Sequence, residues 1–127
     1  MPIYALGSDE PSISNDAYIH PDAVIIGAVT IGANSSVWPG AVLHTTPQWP
    51  TVVGNGCVLG HLIHLEGCTI EDDVMIGNAS MVLHRSVIHS GAIVAANAVV
   101  LSDIDVPSGA LAVGTPSCQS RSLARST

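Results

Sequence analysis

Ile19, Ile25, Ile31, Val37 and Leu43 fall at intervals of six residues. The same beat returns at Val53, Leu59 and Leu65, and again at Ile70, Ile76, Val82, Ile88, Val94, Val100 and Val106. Ile, Leu and Val make up 36 of the 127 residues, so chance would place them in about four of these fifteen positions. Two positions before most of them stands a small or modest residue: Ala23, Val29, Ser35, Ala41, Cys57, Ile63, Ser80, Ser86, Ala92 or Ala98. Residues two apart face the same side of an extended strand. Each hexapeptide therefore turns one modest and one aliphatic side chain inward, and the neighbours of the aliphatic residue outward. Gly27, Gly32, Asn34, Gly54, Asn55, Gly77, Asn78 and Asn97 lie in the stretch where the chain must turn after each aliphatic residue, and these residue types suit tight corners. Short strands joined by corners, three to a coil, predict an all-β parallel β-helix of triangular section. Fifteen hexapeptides predict about five coils.

The chain reads as one domain over residues 1–127, with the repeat core at 17–116 and a frayed polar tail at 117–127. Tyr4, Leu6 and Ile13 are placed to cover the first rung. The absence of Phe follows from the repeat. Rungs stack at the inter-strand spacing of about 4.8 Å, and columns of Ile, Val and Leu fill that spacing where a ring would not.

A composition of 47% hydrophobic and 10% charged residues is too apolar for a disordered chain. No apolar run reaches the ~18 residues of a membrane span, and Met1 to Asp9 has no secretory pattern. A cytoplasmic location without membrane association is the expectation. The net charge of −7, with only Arg85, Arg121 and Arg125 as basic residues besides histidine, argues against nucleic-acid binding. It also leaves little to hold the phosphates of coenzyme A, which disfavours an acyltransferase. Cys57, Cys68 and Cys118 form no metal or redox spacing, and Cys57 takes an inward slot.

Two irregularities interrupt the grid. The step from Leu43 to Val53 is ten residues and holds two prolines and Trp49, which predicts an excursion loop. The step from Leu65 to Ile70 is five, so one corner is tightened. His44 points outward beside Leu43. His61 lies on a corner, while His64 and Glu66 flank Leu65 on one outward face, about 6.6 Å apart along the strand. Outward positions of successive coils align, so donors distant in sequence can meet. The set His44, His61, His64 and Glu66 offers enough donors for one zinc site with an open position. The same residues also read as scattered surface or interface histidines. His20 and the Glu71-Asp72-Asp73 corner read as solvated, and Trp38, His84 and His89 as surface or subunit-contact residues.

Thr30-Ile31-Gly32 through Val37-Trp38-Pro39-Gly40-Ala41-Val42-Leu43 resembles the opening coils of the gamma-class carbonic anhydrase-like family. Pro50-Thr51-Val52-Val53-Gly54, Gly60-His61, Gly67-Cys68-Thr69-Ile70 and Gly109-Ala110-Leu111-Ala112-Val113-Gly114-Thr115-Pro116 match later coils, so the resemblance covers roughly residues 17 to 116. It implies a left-handed prism, a homotrimer, and zinc (or iron or cobalt) held between subunits by three histidines. His61 matches the histidine of the Gly-His motif, and His44 the one just ahead of the loop. The third falls at Glu66, with His64 two residues earlier.

The implied activity is reversible hydration of CO2 to bicarbonate. The family continues its Val-Leu with Arg-Gly-Asp and a coil ending Ile-Gln-Asp, whereas Leu43 here runs straight into His44. About one coil is missing, together with the Arg, Asp and Gln that serve subunit contacts and water positioning. The C-terminal helix of the family is also not matched. The resemblance thus implies a weak enzyme, with a non-catalytic trimeric metal-binding scaffold as the alternative.

Overall fold

A computed structural model describes residues 3–122. Its strands form three walls of parallel β-sheet, with every third strand stacking on the same wall. The first wall holds Ile3–Tyr4, Val24–Ile26, Val42–His44, His64–Glu66, Met81–Val82 and Val99–Val100. The second holds Ser12–Ile13, Val29–Ile31, Thr51–Val53, Thr69–Ile70, Val87–Ile88 and Asp105–Val106. The third runs from Tyr18–Ile19 through Ser36–Val37, Val58–Leu59, Met75–Ile76 and Ile93–Val94 to Ala110–Val113, and ends on Cys118–Ser122. The whole is a β-solenoid of about six turns, consistent with the left-handed hexapeptide helix that the resemblance implies.

The six-residue beat becomes the core. Ile25, Leu43, Leu65, Val82 and Val100 pair in register up the first wall, and all five are fully buried. Ile31, Val53, Ile70, Ile88 and Val106 do the same on the second wall. Burial of one such aliphatic side chain contributes about 1.5–3 kcal/mol, so the columns dominate stability. Two of the inward hydroxyls are satisfied by the coil above. Ser35 donates to the Gly54 carbonyl at 2.7 Å, and Ser86 to the Leu101 carbonyl at 2.7 Å. Asn34, Asp73, Asn97 and Asp103 stand at corners with positive φ, the left-handed backbone that short polar side chains tolerate best.

The additional coil comes from the N-terminal end, where Ile3 pairs with Ile25 and Ile13 with Ile31. These residues complete a rung, and Leu6 and Asp9 close the connection between them with mutual backbone hydrogen bonds. Of the polar tail, Cys118–Ser122 lies antiparallel on Ala110–Val113; residues 123–127 fall outside the described residues. Among the described residues no helix is long and apolar enough to cross a membrane.

Cys57 and Cys68 are buried and Cys118 is exposed. Burial pushes the Cys68 thiol from 9.0 up to about 12, with backbone hydrogen bonds opposing only in part. The folded state therefore holds its proton over a pH range where the unfolded chain releases it. Stability is intact below pH 9 and falls by about 1.4 kcal/mol per pH unit above it. Urea unfolding at pH 8 and pH 10.5 is expected to differ by about 2 kcal/mol from this thiol. Cys68→Ala should remove that difference, and an unchanged slope in the variant would place its origin elsewhere.

Candidate metal centre

The first wall carries the site because the two irregular coils meet there. The ten-residue step inserts residues 45–50, and the stack resumes with His64 beside Val42, Leu65 beside Leu43 and Glu66 beside His44. Leu43 and Leu65 point inward, so His44, His64 and Glu66 project from the outer surface. Thr51 secures this join from inside. Its hydroxyl donates to the His44 carbonyl at 2.7 Å and accepts the Gly67 amide at 2.8 Å.

One atom of each side chain converges. His44 Nε2 lies 3.2 Å from His64 Nε2, His64 Nε2 lies 3.0 Å from Glu66 Oε1, and His44 Nε2 lies 3.6 Å from the same oxygen. The two imidazoles meet edge to face with centroids 4.7 Å apart. A ring N–H on His64 can serve the carboxylate or the facing nitrogen, but not both. A single electropositive centre resolves that conflict. Zinc bound tetrahedrally at about 2.0–2.2 Å from its donors holds them about 3.3–3.5 Å apart, and the three observed separations bracket that range. The donor set fits a divalent metal.

Each of the three side chains is roughly three-tenths exposed. The hydrogen bond from His64 holds the Glu66 carboxyl below its usual range; desolvation opposes this, and the charges of His44, His64 and His84 add to it. Many of the other outward positions on this wall are apolar. Val24, Ile26, Val42, Met81 and Val99 share the outward face of the same wall, flanking the buried residues in its strands.

His61 does not join this set within one chain. It sits on a corner, its ring stacked on Trp38 with centroids 6.1 Å apart, and Trp38 in turn leans on Tyr18 at 5.3 Å. His89 is on the second wall, 3.2 Å from Glu71 and 3.5 Å from Asp105. Glu71 also accepts the Ser90 amide at 3.0 Å, so this corner carries bonded groups as well as solvated ones. Trp38, His84 and His89 thus occupy separate parts of the prism.

His84, read from the sequence as a surface residue, stands beside the centre, with Nδ1 3.8 Å from Glu66 Oε2. Trp49, from the excursion loop, stacks on its imidazole with centroids 5.1 Å apart and planes 11° apart. A coil count would have found it. Leu65 pairs with Val82, so the residue two beyond Val82 reaches the corner next to Glu66.

The profile of the bacterial transferase hexapeptide family (six repeats) matches residues 10–45 and 67–102. The unmatched interval holds the excursion loop, His64 and Glu66. The mitochondrial gamma carbonic anhydrase 2 of Arabidopsis thaliana is 31% identical over 140 residues, which take in 89% of this chain and 50% of that protein. The matched stretch exceeds the full 127 residues of this chain, so the plant protein carries residues within it that have no counterpart here. The chain spans half the length of that relative. Carnitine operon protein CaiE of Escherichia coli K12 is 29% identical, covering 91% of this chain and 70% of its own. Among solved structures, a hexapeptide transferase family protein from Anaplasma phagocytophilum superposes with a TM-score of 0.72 at 30% identity, covering 95% of this chain and 84% of that one.

Proposed function

From a chain that belongs to the bacterial transferase hexapeptide family and is gamma carbonic anhydrase-like within it, we propose a metalloprotein that hydrates CO2 weakly. The observation that carries this reading is the triangle of His44 Nε2, His64 Nε2 and Glu66 Oε1, with sides of 3.2, 3.0 and 3.6 Å. Two neutral imidazoles and one carboxylate suit Zn2+, and Fe2+ or Co2+ are accepted by the same donors. Such an ion supplies Lewis acidity, which brings the pKa of a water down to about 7.

The residues of the chain do the rest. Glu66 offsets part of the positive charge, and the Leu65 side chain, buried between His64 and Glu66 along the strand, fixes the angle at which both emerge. The apolar outward residues around the centre favour a small, uncharged substrate over an anion, which agrees with CO2 as substrate and bicarbonate as the departing product. The same apolar wall suits burial against further copies, and a homotrimer is the assembly proposed.

A non-catalytic reading stands beside this one because the chain lacks residues present in the matched stretch of the plant relative. Groups that orient ligands and water commonly matter 10–100-fold. Metal quantitation on size-fractionated protein, followed by stopped-flow CO2 hydration, separates the two. We expect one divalent ion per chain and a rate measurably above buffer. Bound metal with no rate above buffer leaves a metal-binding scaffold; no bound metal removes the enzyme reading and leaves only a scaffold without metal.

A further inference from the structure

Glu66 has two carboxylate oxygens, and different groups face each. Oε1 lies 3.0 Å from His64 Nε2 and 3.6 Å from His44 Nε2, whereas Oε2 lies 3.8 Å from His84 Nδ1. The last torsion of a glutamate is broad and nearly two-fold, so an unrestrained carboxylate would exchange its oxygens freely.

His84 is itself held. The Ser102 hydroxyl lies 3.4 Å from its Nδ1 and 3.2 Å from its Nε2, and Trp49 lies nearly parallel to its ring. Arg85 places its guanidinium 4.8 Å from the Trp49 ring centre and is tied to Asp103 at 2.8 Å. Gly67, directly after Glu66, makes this closeness possible. Its φ is +65°, and a Cβ there would lie 3.1 Å from Trp49 Cβ and 3.2 Å from His84 Cβ. Trp49 comes from residues 45–50, a loop that the six-residue repeat does not require. The loop therefore brings an aromatic ring to the one imidazole that faces the unused oxygen of Glu66.

We infer that His84, clamped by Trp49, is a positioning residue that fixes which oxygen of Glu66 is presented to the metal. The inference rests on the metal reading above and deepens it. It makes the excursion loop part of the centre, acting through His84.

The test is Co2+ titration of the full chain, read by the visible absorption bands of the bound ion and not by activity. His84→Phe keeps a ring against Trp49 but has no nitrogen to offer Glu66. It is expected to weaken Co2+ binding about 10–100-fold and to change the shape of the bands. His84→Gln, whose amide can still meet the carboxylate, should recover part of the affinity. Trp49→Ala should lose affinity without touching a donor, and His89→Ala should match the unsubstituted protein. Thermal melting accompanies each variant; should His84→Phe not fold, the Trp49→Ala and His84→Gln pair carries the same comparison. Unchanged affinity and bands in His84→Phe or, where that does not fold, in Trp49→Ala would overturn the positioning role alone. Failure of the unsubstituted protein to bind Co2+ or Zn2+ would overturn the metal reading and this inference with it.

Discussion

His64→Ala is expected to weaken Zn2+ or Co2+ binding by more than the ~100-fold ceiling that loss of a supporting group carries. His61→Ala should leave binding by a single chain unchanged. The contrast follows from placement. His64 Nε2 is the shared vertex of the two shortest contacts of the triangle, to His44 at 3.2 Å and to Glu66 at 3.0 Å. His61 lies at a corner against Trp38. Isothermal titration at protein concentrations below any self-association isolates the single-chain term. A large loss in His61→Ala there, with little in His64→Ala, would mean that the donors come from a different set.

Gly77→Ala is expected to be among the most destabilising single-methyl additions to the prism, at about 3 kcal/mol, the upper end of the usual range for overpacking. A Cβ at Gly77 would stand 2.6 Å from the Ala96 amide nitrogen, 2.8 Å from the Ala95 carbonyl carbon and 2.8 Å from the Val94 carbonyl oxygen. All three are backbone atoms of the next coil, and no rotamer change can move them aside. Gly91→Ala provides the comparison. Its nearest such contact is the Gly109 nitrogen at 3.9 Å, and only its φ of +77° resists a side chain, which costs about 1–2 kcal/mol. Urea midpoints of the two variants should differ clearly. A smaller shift for Gly77→Ala than for Gly91→Ala would show that the coils yield at this corner.

The inward half of the molecule was legible because one local rule governs it. Ile25, Leu43, Leu65, Val82 and Val100 each occupy the same slot of a hexapeptide, and slot alone decides that they are buried. The first coil was only partly legible: Ile13 keeps the beat six residues before Ile19, but Ile3 stands ten residues before Ile13 and breaks it. The outward half obeys a different rule: what a side chain touches depends on coil length. His44 meets Glu66 across twenty-two residues because the loop lengthens that coil, and His64 meets Met81 across seventeen because a corner is tightened. Counting from each aliphatic position places His44, His64 and Glu66 on one wall. It does not give the rotamers that bring their three atoms together. Trp49 escaped for another reason, since nothing in a proline-bounded loop says which ring its tryptophan will cover.

The reversed strand Cys118–Ser122 has a consequence for how copies of this molecule can meet. A stack of like storeys offers its topmost strand as a template, and another molecule could in principle continue the pattern end to end into a fibre. On the third wall that template is already taken by a strand running the opposite way. Head-to-tail continuation on that wall would have to begin from the wrong polarity.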